Sequence, residues 1–129
     1  MTSKIRLLFV CLGNICRSPA AEGVMRRLVA EAGLDDRIEI DSAGTAGWHE
    51  GKRADPRMRK AAARRGLDLT HLARQVRSSD PAGFDLLLAM DSQNLADLRA
   101  LDGAAPHLDK LRLLCEFCTH HEVQEVPDP

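Results

Sequence analysis

Hydrophobic and polar positions follow two alternating periods along this chain. Residues 4–10 (KIRLLFV) form a short apolar and β-branched run, which predicts a strand buried on both faces. A polar, glycine-bearing loop follows at residues 11–17. Ser18-Pro19 then predicts a helix start, because serine suits the N-cap and proline the first helical position. Ala20, Ala21, Val24, Met25, Leu28, Val29 and Ala32 recur at helical spacing, with Arg26, Arg27 and Glu31 opposite and Gly33 as the stop. Residues 37–41 (RIEID) predict a second strand. Strand, helix and strand in this order make a right-handed parallel βαβ unit.

The remainder keeps the alternation. Residues 42–54 predict a long loop holding Gly44, Gly47, Gly51 and the single tryptophan, Trp48. Asp55-Pro56 predicts the next helix, with Arg64 and Arg65 in its last turn and Gly66 as its cap. Residues 84–89 (FDLLLA) predict a third strand, and Ser92 a cap for a helix carrying Leu95, Leu98 and Leu101. Residues 111–117 predict a fourth strand. The expected fold class is α/β, a three-layer, mainly parallel, four-stranded open sheet with helices on both faces. Its sites belong at the C-terminal ends of the strands.

The chemistry concentrates in the first loop. A cysteine, Cys11, ends a buried strand, and Arg17 follows six positions later as a helix begins. A tight wrap between strand and helix turns backbone N–H groups toward one point, beside the unsatisfied N–H groups of the helix start. Such a concavity binds a tetrahedral oxyanion, and an arginine closes it with a bidentate fork. Gly13 permits a backbone that a Cβ would hinder, and Asn14 tolerates the left-handed region. A field that attracts phosphate also favours thiolate over thiol, so a cysteine at the floor is placed to attack phosphorus in line. The G-x4-G-K-[ST] pattern of nucleotide-binding loops is absent.

Composition narrows the function classes. The 129 residues (14.2 kDa) fit one domain, with 44% hydrophobic and 29% charged residues, as in a globular protein. A net charge of −1 gives no global attraction to nucleic acid or to an anionic membrane. Phe9, Phe84, Phe117 and Trp48 are the only aromatic residues, too few for a single-strand stacking platform. No apolar run has the length of a secretory or membrane-spanning segment. The expected location is cytoplasmic, where Cys11, Cys16, Cys115 and Cys118 point to catalysis, redox sensing or metal before structural disulfides.

Cys11-Leu-Gly-Asn-Ile-Cys-Arg-Ser-Pro19 closely resembles the signature of the low-molecular-weight protein tyrosine phosphatases. The resemblance continues through Asp41-Ser-Ala-Gly-Thr45, Trp48, Ala54-Asp-Pro56, His71, Ala73-Arg-Gln75, Leu88-Ala-Met-Asp91, Asn94-Leu95 and Val126-Pro-Asp-Pro129. It implies hydrolysis of protein phosphotyrosine and small aryl phosphates through a phosphocysteine intermediate, with neither cofactor nor metal. Cys11 would be the nucleophile. Arg17 and the Leu12, Gly13, Asn14, Ile15, Cys16 and Arg17 amides would hold the phosphoryl oxygens. Ser18 would hydrogen-bond the thiolate. Asp128 would protonate the tyrosyl oxygen and then activate water. Asn14, Ser42 and His71 would hold the loop in shape, and Asp91 would support the site from the third strand. Cys16 would be a redox partner, forming a reversible disulfide with Cys11. The implied partners are phosphotyrosine proteins, a bacterial tyrosine kinase among them, and inorganic phosphate, with no nucleic acid or membrane. The family pattern runs on past Pro129 with an aromatic pair and a closing helix. The domain of residues 1–129 is therefore expected to leave apolar area on one sheet face and Asp128 near a fraying terminus.

Other features weigh less or point elsewhere. Trp48 by itself suggests partly buried packing; its match to the family tips it toward the wall of an aromatic slot, with His49 and Glu50 as weaker rim residues. Residues 52–65 hold seven basic residues against Asp55, best read as a solvated helix face. Cys115 and Cys118 with His120 and His121 look like a metal cluster but lack the long spacing between ligand pairs. Cys115 instead falls in phase with Leu111, Leu113 and Phe117 on a strand face. Two alternatives share the loop: a thioredoxin-coupled arsenate reductase and a catalytically weakened phosphotyrosine-binding module. The reductase needs a cysteine pair around the third strand, and residues 78–93 contain no cysteine.

Overall fold

The computed structural model describes residues 4–120 and 123–129. Four strands, β1 (Ile5–Cys11), β2 (Ile38–Gly44), β3 (Leu86–Ala89) and β4 (Leu111–Leu113), form one sheet in the order β2-β1-β3-β4. Every pairing is parallel. The helices are α1 (Arg17–Glu31), α2 (Pro56–Ala63), the short α3 (Asp80–Gly83) and α4 (Ser92–Arg99). Two 3₁₀ segments, Ala105–Lys110 and Leu114–Phe117, flank β4.

The alternation of side chains along β1 sorts the core into two layers. Leu8 and Val10 point to one face, where they meet Ala43, Leu87, Ala89, Leu98 and Leu111. Phe9 and Cys11 point to the other, with Ile40, Leu88, Met90 and Val29 of α1. Helices thus cover both faces, α4 on the first and α1 on the second. Because β1 is central and parallel to its neighbours, its last residue lies beside the ends of two others: Cys11 pairs with Gly44, and Val10 with Ala89. The loops after β1, β2 and β3 therefore meet at one edge of the sheet.

Several boundaries differ from the sequence expectation for local physical reasons. The helix α1 begins at Arg17, with Cys16 at the N-cap position and no side-chain cap bond. The Ser18 hydroxyl is turned to Cys11 Sγ instead. The strand β2 runs on to Gly44 because β1 continues to pair with it through Cys11. Asp91, not Ser92, caps α4 by accepting the Asn94 N–H at 2.8 Å. The β4 strand stops at Leu113, where the Glu116 carboxylate accepts the Leu113 N–H at 2.8 Å and an Arg112 N–H at 3.0 Å, folding the chain into a turn. Asp55 caps α2 as its position predicts, accepting the Arg57 and Met58 N–H groups.

The apolar stripe of α1 is only partly covered. Val24 and Leu28 are 46% and 53% exposed and, with Leu7, Phe9, Met25 and Leu86, line an open apolar groove of about 770 Å³. Val126 and Pro129 border it. Among the described residues, no helix is long and apolar enough to cross a membrane.

The burial pattern separates two substitutions. Leu87→Ala, at a fully buried position in β3, should cost about 2–5 kcal/mol. Val24→Ala, in the open groove, should stay within about 0.5 kcal/mol of wild type. Urea midpoints at unchanged m-value measure both, and equal losses would contradict this core.

Candidate active site

The segment between β1 and α1 folds as a cradle because its carbonyls are occupied from outside. The carbonyls of Cys11, Leu12 and Ile15 accept the N–H groups of Thr45, Ala46 and Asp55 at 2.9, 2.9 and 2.8 Å. The amides of Gly13, Ile15 and Cys16 donate to no protein acceptor among the described residues. Close approach of β2 makes this possible. A Cβ on Gly44 would lie 2.7 Å from the Leu12 carbonyl oxygen and 3.0 Å from the Asn14 nitrogen, so glycine is required there.

Cys11 lies at the floor, 2% exposed. Its Sγ is 3.0 Å from Ser18 Oγ and receives the Asn14 N–H at 3.3 Å. Asn14 is the one non-glycine residue with positive φ (57°) among those described. Its side chain explains why the strain is tolerated. Asn14 Nδ2 donates to Ser18 Oγ at 2.8 Å and to Ser42 Oγ at 3.0 Å. Its Oδ1 accepts the Arg74 backbone N–H at 2.9 Å and faces His71 Nε2 at 2.9 Å. Since Ser18 Oγ accepts from Asn14, its own proton has two acceptors in reach, Cys11 Sγ at 3.0 Å and the more distant Ala43 carbonyl at 3.4 Å.

A layer of charge lies under this network. Ser42 Oγ donates to Glu22 Oε1 at 2.6 Å, and Arg26 Nε donates to Glu22 Oε2 at 2.9 Å. His71 Nδ1 is 3.3 Å from Glu22 and 3.5 Å from Asp41. Arg74 bridges Asp41 and Asp80 at 3.1 and 2.9 Å. Burial alone would lower the Arg74 pKa, but these two carboxylates outweigh it and hold the guanidinium charged. Glu22, Asp41 and His71 bring ligand-type atoms within 4.8 Å of one another. Ser42 already donates to Glu22 Oε1 through its hydroxyl and to Asp41 Oδ1 through its N–H, while Arg26, Arg74 and Asn14 hold the outer atoms of the three residues, so the cluster is a hydrogen-bond network. Sequence reading missed the parts played by Glu22 and Arg74. An acidic residue at 22, one turn after Ser18 and on the buried side of α1, was the available signal.

Arg17 closes the cradle and is 5% exposed. Its Nη1 donates to Asp91 Oδ2 at 2.7 Å and to the Val126 carbonyl at 3.0 Å, and Nη2 is 3.6 Å from Asp128 Oδ1. Its buried Nε has no acceptor within the described chain. Burial would raise the Asp91 pKa, but the Arg17 hydrogen bond and charge and the Asn94 and Gln93 amides hold it below the usual carboxylate value. The structure thus brings Cys11, Asn14, Arg17, Ser18, Ser42, His71, Asp91 and Asp128 together.

Cys16 is a half-buried free thiol. Burial pushes its pKa up, helped by Asp55, Cys11 and Asp128. Trp48 is 71% exposed, so it is not packed into the body of the protein as the partly buried reading would have it. His49 lies beside the cradle, with its ring 3.0 Å from where a Gly13 Cβ would be. Cys115 is buried on the 3₁₀ turn, while Phe117 is 53% exposed, so these two do not share a strand face. His121 lies outside the described residues, and Cys118 and His120 are exposed.

The model of the family described as low molecular weight phosphotyrosine protein phosphatase matches residues 6–129. A low molecular weight phosphotyrosine protein phosphatase of Schizosaccharomyces pombe is 44% identical over 130 residues, spanning 100% of this chain and 83% of its own. A low molecular weight protein-tyrosine-phosphatase of Streptomyces coelicolor is 46% identical over 126 residues, spanning 96% of this chain and 77% of its own. The crystal structure of a protein tyrosine phosphatase from Entamoeba histolytica superposes with a TM-score of 0.93 at 44% identity, covering 98% of this chain and 80% of that one. This chain belongs to the low molecular weight phosphotyrosine protein phosphatase family.

Proposed function

We propose that this protein hydrolyses phosphotyrosine in proteins, and small aryl phosphates, with Cys11 as nucleophile. The observation that carries the reading is Cys11 Sγ at the start of a loop whose Gly13, Ile15 and Cys16 amides have no acceptor among the described residues, with Ser18 Oγ 3.0 Å away and the Asn14 N–H on the sulfur. In the first step the sulfur attacks phosphorus, the bond to the tyrosyl oxygen breaks, and Asp128 gives that oxygen its proton. Arg17 and the loop amides bind the charge that develops on the phosphoryl oxygens. In the second step the Asp128 carboxylate takes a proton from water. The water oxygen attacks phosphorus, the S–P bond breaks, and inorganic phosphate leaves. The Ser18 hydroxyl stabilises the sulfur as it departs. Asn14, Ser42 and His71 hold the donors in place, and Asp91 orients Arg17.

The phosphoprotein substrates we infer include a bacterial tyrosine kinase, and the compartment we infer is the cytoplasm. A cysteine nucleophile, which must stay a thiol to act, suits a reducing environment. Trp48, exposed at 71%, is free to contact a bound substrate from the loop after β2.

Three outcomes test the reading. Cys11→Ser should lower aryl phosphate turnover by at least about 1,000-fold; turnover that survives would remove the mechanism, and arsenate reduction with thioredoxin would replace the reaction class. Asp128→Asn should slow phosphotyrosine hydrolysis by about 100- to 10,000-fold and nitrophenyl phosphate hydrolysis far less, because nitrophenolate leaves without a proton. Equal losses on both would remove Asp128 as the acid. Asp91→Asn keeps the helix cap but loses the charge. Since folding lowers the Asp91 pKa, the pair contributes stability above the unfolded value of about 3.9. That contribution disappears as pH falls through the lower folded value. The Tm gap between wild type and variant should therefore close in acid, and a gap independent of pH would contradict the pairing.

A further inference from the structure

The turn after β4 carries two cysteines that the phosphatase chemistry does not use. Cys115 lies inside the 3₁₀ segment Leu114–Phe117, and Cys118 is its C-cap. The Cys118 N–H donates to the Cys115 carbonyl at 3.2 Å, closing the turn. In a 3₁₀ turn the side chains at i and i+3 eclipse. The α-carbons across such a turn are less than about 7 Å apart, and a disulfide needs roughly 4.4–6.8 Å. Both cysteines are free thiols, Cys115 buried and Cys118 exposed.

The turn is held in this shape from outside. Glu116 accepts from Arg112 at 3.0 and 3.2 Å and from the Leu113 N–H at 2.8 Å. The Arg112 guanidinium also stacks 5.9 Å from the centre of the Phe117 ring. Leu114 packs, as Val126 does, against the buried cluster that holds Phe9, Leu88 and Met90. Two sulfurs one 3₁₀ turn apart, on a clamped backbone with one of them facing solvent, form an oxidation site. Burial, the Cys118 thiol and Glu125 all push the Cys115 pKa up, which leaves Cys118 as the thiol that meets an oxidant first.

We propose that Cys115 and Cys118 are a second redox couple, which a hydroperoxide converts to an intraturn disulfide independently of Cys11 and Cys16. The Cys118 thiolate attacks hydrogen peroxide, the O–O bond breaks, Cys118 becomes a sulfenic acid, and the departing hydroxide takes up the proton that the thiol gave up and leaves as water. The Cys115 sulfur then attacks the Cys118 sulfur, losing its proton. The S–S bond forms, the S–O bond breaks, and a second water leaves. Two thiols are oxidised by two electrons and one hydrogen peroxide is reduced to two waters. A dithiol reverses the change by exchange. The buried partner thus intercepts Cys118 before it reaches the irreversible sulfinic state. The proposal does not rest on the phosphatase reading.

The full chain carrying Cys11→Ser and Cys16→Ser isolates the pair. Hydrogen peroxide treatment, alkylation of remaining thiols and peptide mass spectrometry should show a two-hydrogen mass loss confined to the peptide with Cys115 and Cys118. Dithiothreitol should reverse it. The same crosslink should form in the wild-type chain, which keeps the test decisive if the double variant folds poorly. Glu116→Gln, which loosens the clamp, should slow crosslinking several-fold while leaving alkylation of Cys118 unchanged. Two results would overturn the proposal: Cys118 advancing to sulfinic acid while Cys115 stays alkylatable, or both cysteines remaining alkylatable after peroxide.

Discussion

The Asn14 side chain is the contact on which the site depends. It is 1% exposed and uses both hydrogens of its amide and its carbonyl oxygen, on Ser18, Ser42, His71 and the Arg74 backbone. A left-handed backbone at a buried non-glycine residue is costly, on the order of 1–3 kcal/mol. A buried polar group left without a partner costs a similar amount, about 1–3 kcal/mol. The network offsets both penalties at once, because the conformation that strains the backbone is the one that satisfies the amide. The same conformation turns the Asn14 N–H toward Cys11 Sγ and holds the Ser18 hydroxyl 3.0 Å from that sulfur.

The electrostatics extend this arrangement outward. Glu22, Asp41, Asp80 and Asp91 are arranged against Arg26, His71, Arg74 and Arg17, so each buried charge has a partner of opposite sign or a hydrogen-bond donor. Arg17 is divided between structure and chemistry. Its Nη1 is held by Asp91 and the Val126 carbonyl, while its Nε has no acceptor in the described chain. Residues 126–128 are drawn in by the same residue, since Val126 and Asp128 both meet Arg17.

Much of this was legible from residue order. A cysteine ending a buried strand, a glycine and an asparagine inside the loop and an arginine at the helix start define the cradle with local information alone. Asp55-Pro56, Gly33 and Gly66 also behaved as local capping rules require, the two glycines having φ of 71° and 75°. Capping rules alone misplaced the start of α1, because the Ser18 hydroxyl is turned to Cys11 Sγ, seven residues back in the same loop, in place of a cap. The end of β4 was not legible, because Glu116 captures a backbone N–H that strand pairing would otherwise use. The apolar stripe on α1 was visible, but its half-exposed state at Val24 and Leu28 depends on what lies opposite.

By itself the sequence determined the alternating α/β architecture and the oxyanion loop, because hydrophobic period and loop chemistry act between near neighbours in the chain. Only the tertiary structure decided how Ser42, His71, Arg74, Asp91 and Asp128 converge on residues 11–18. Those residues come from separate elements, and their meeting follows from parallel strand register, which brings the ends of β1, β2 and β3 to one edge. Partners so far apart in the chain leave no periodic trace in it, so distance and burial, not spacing, assign them.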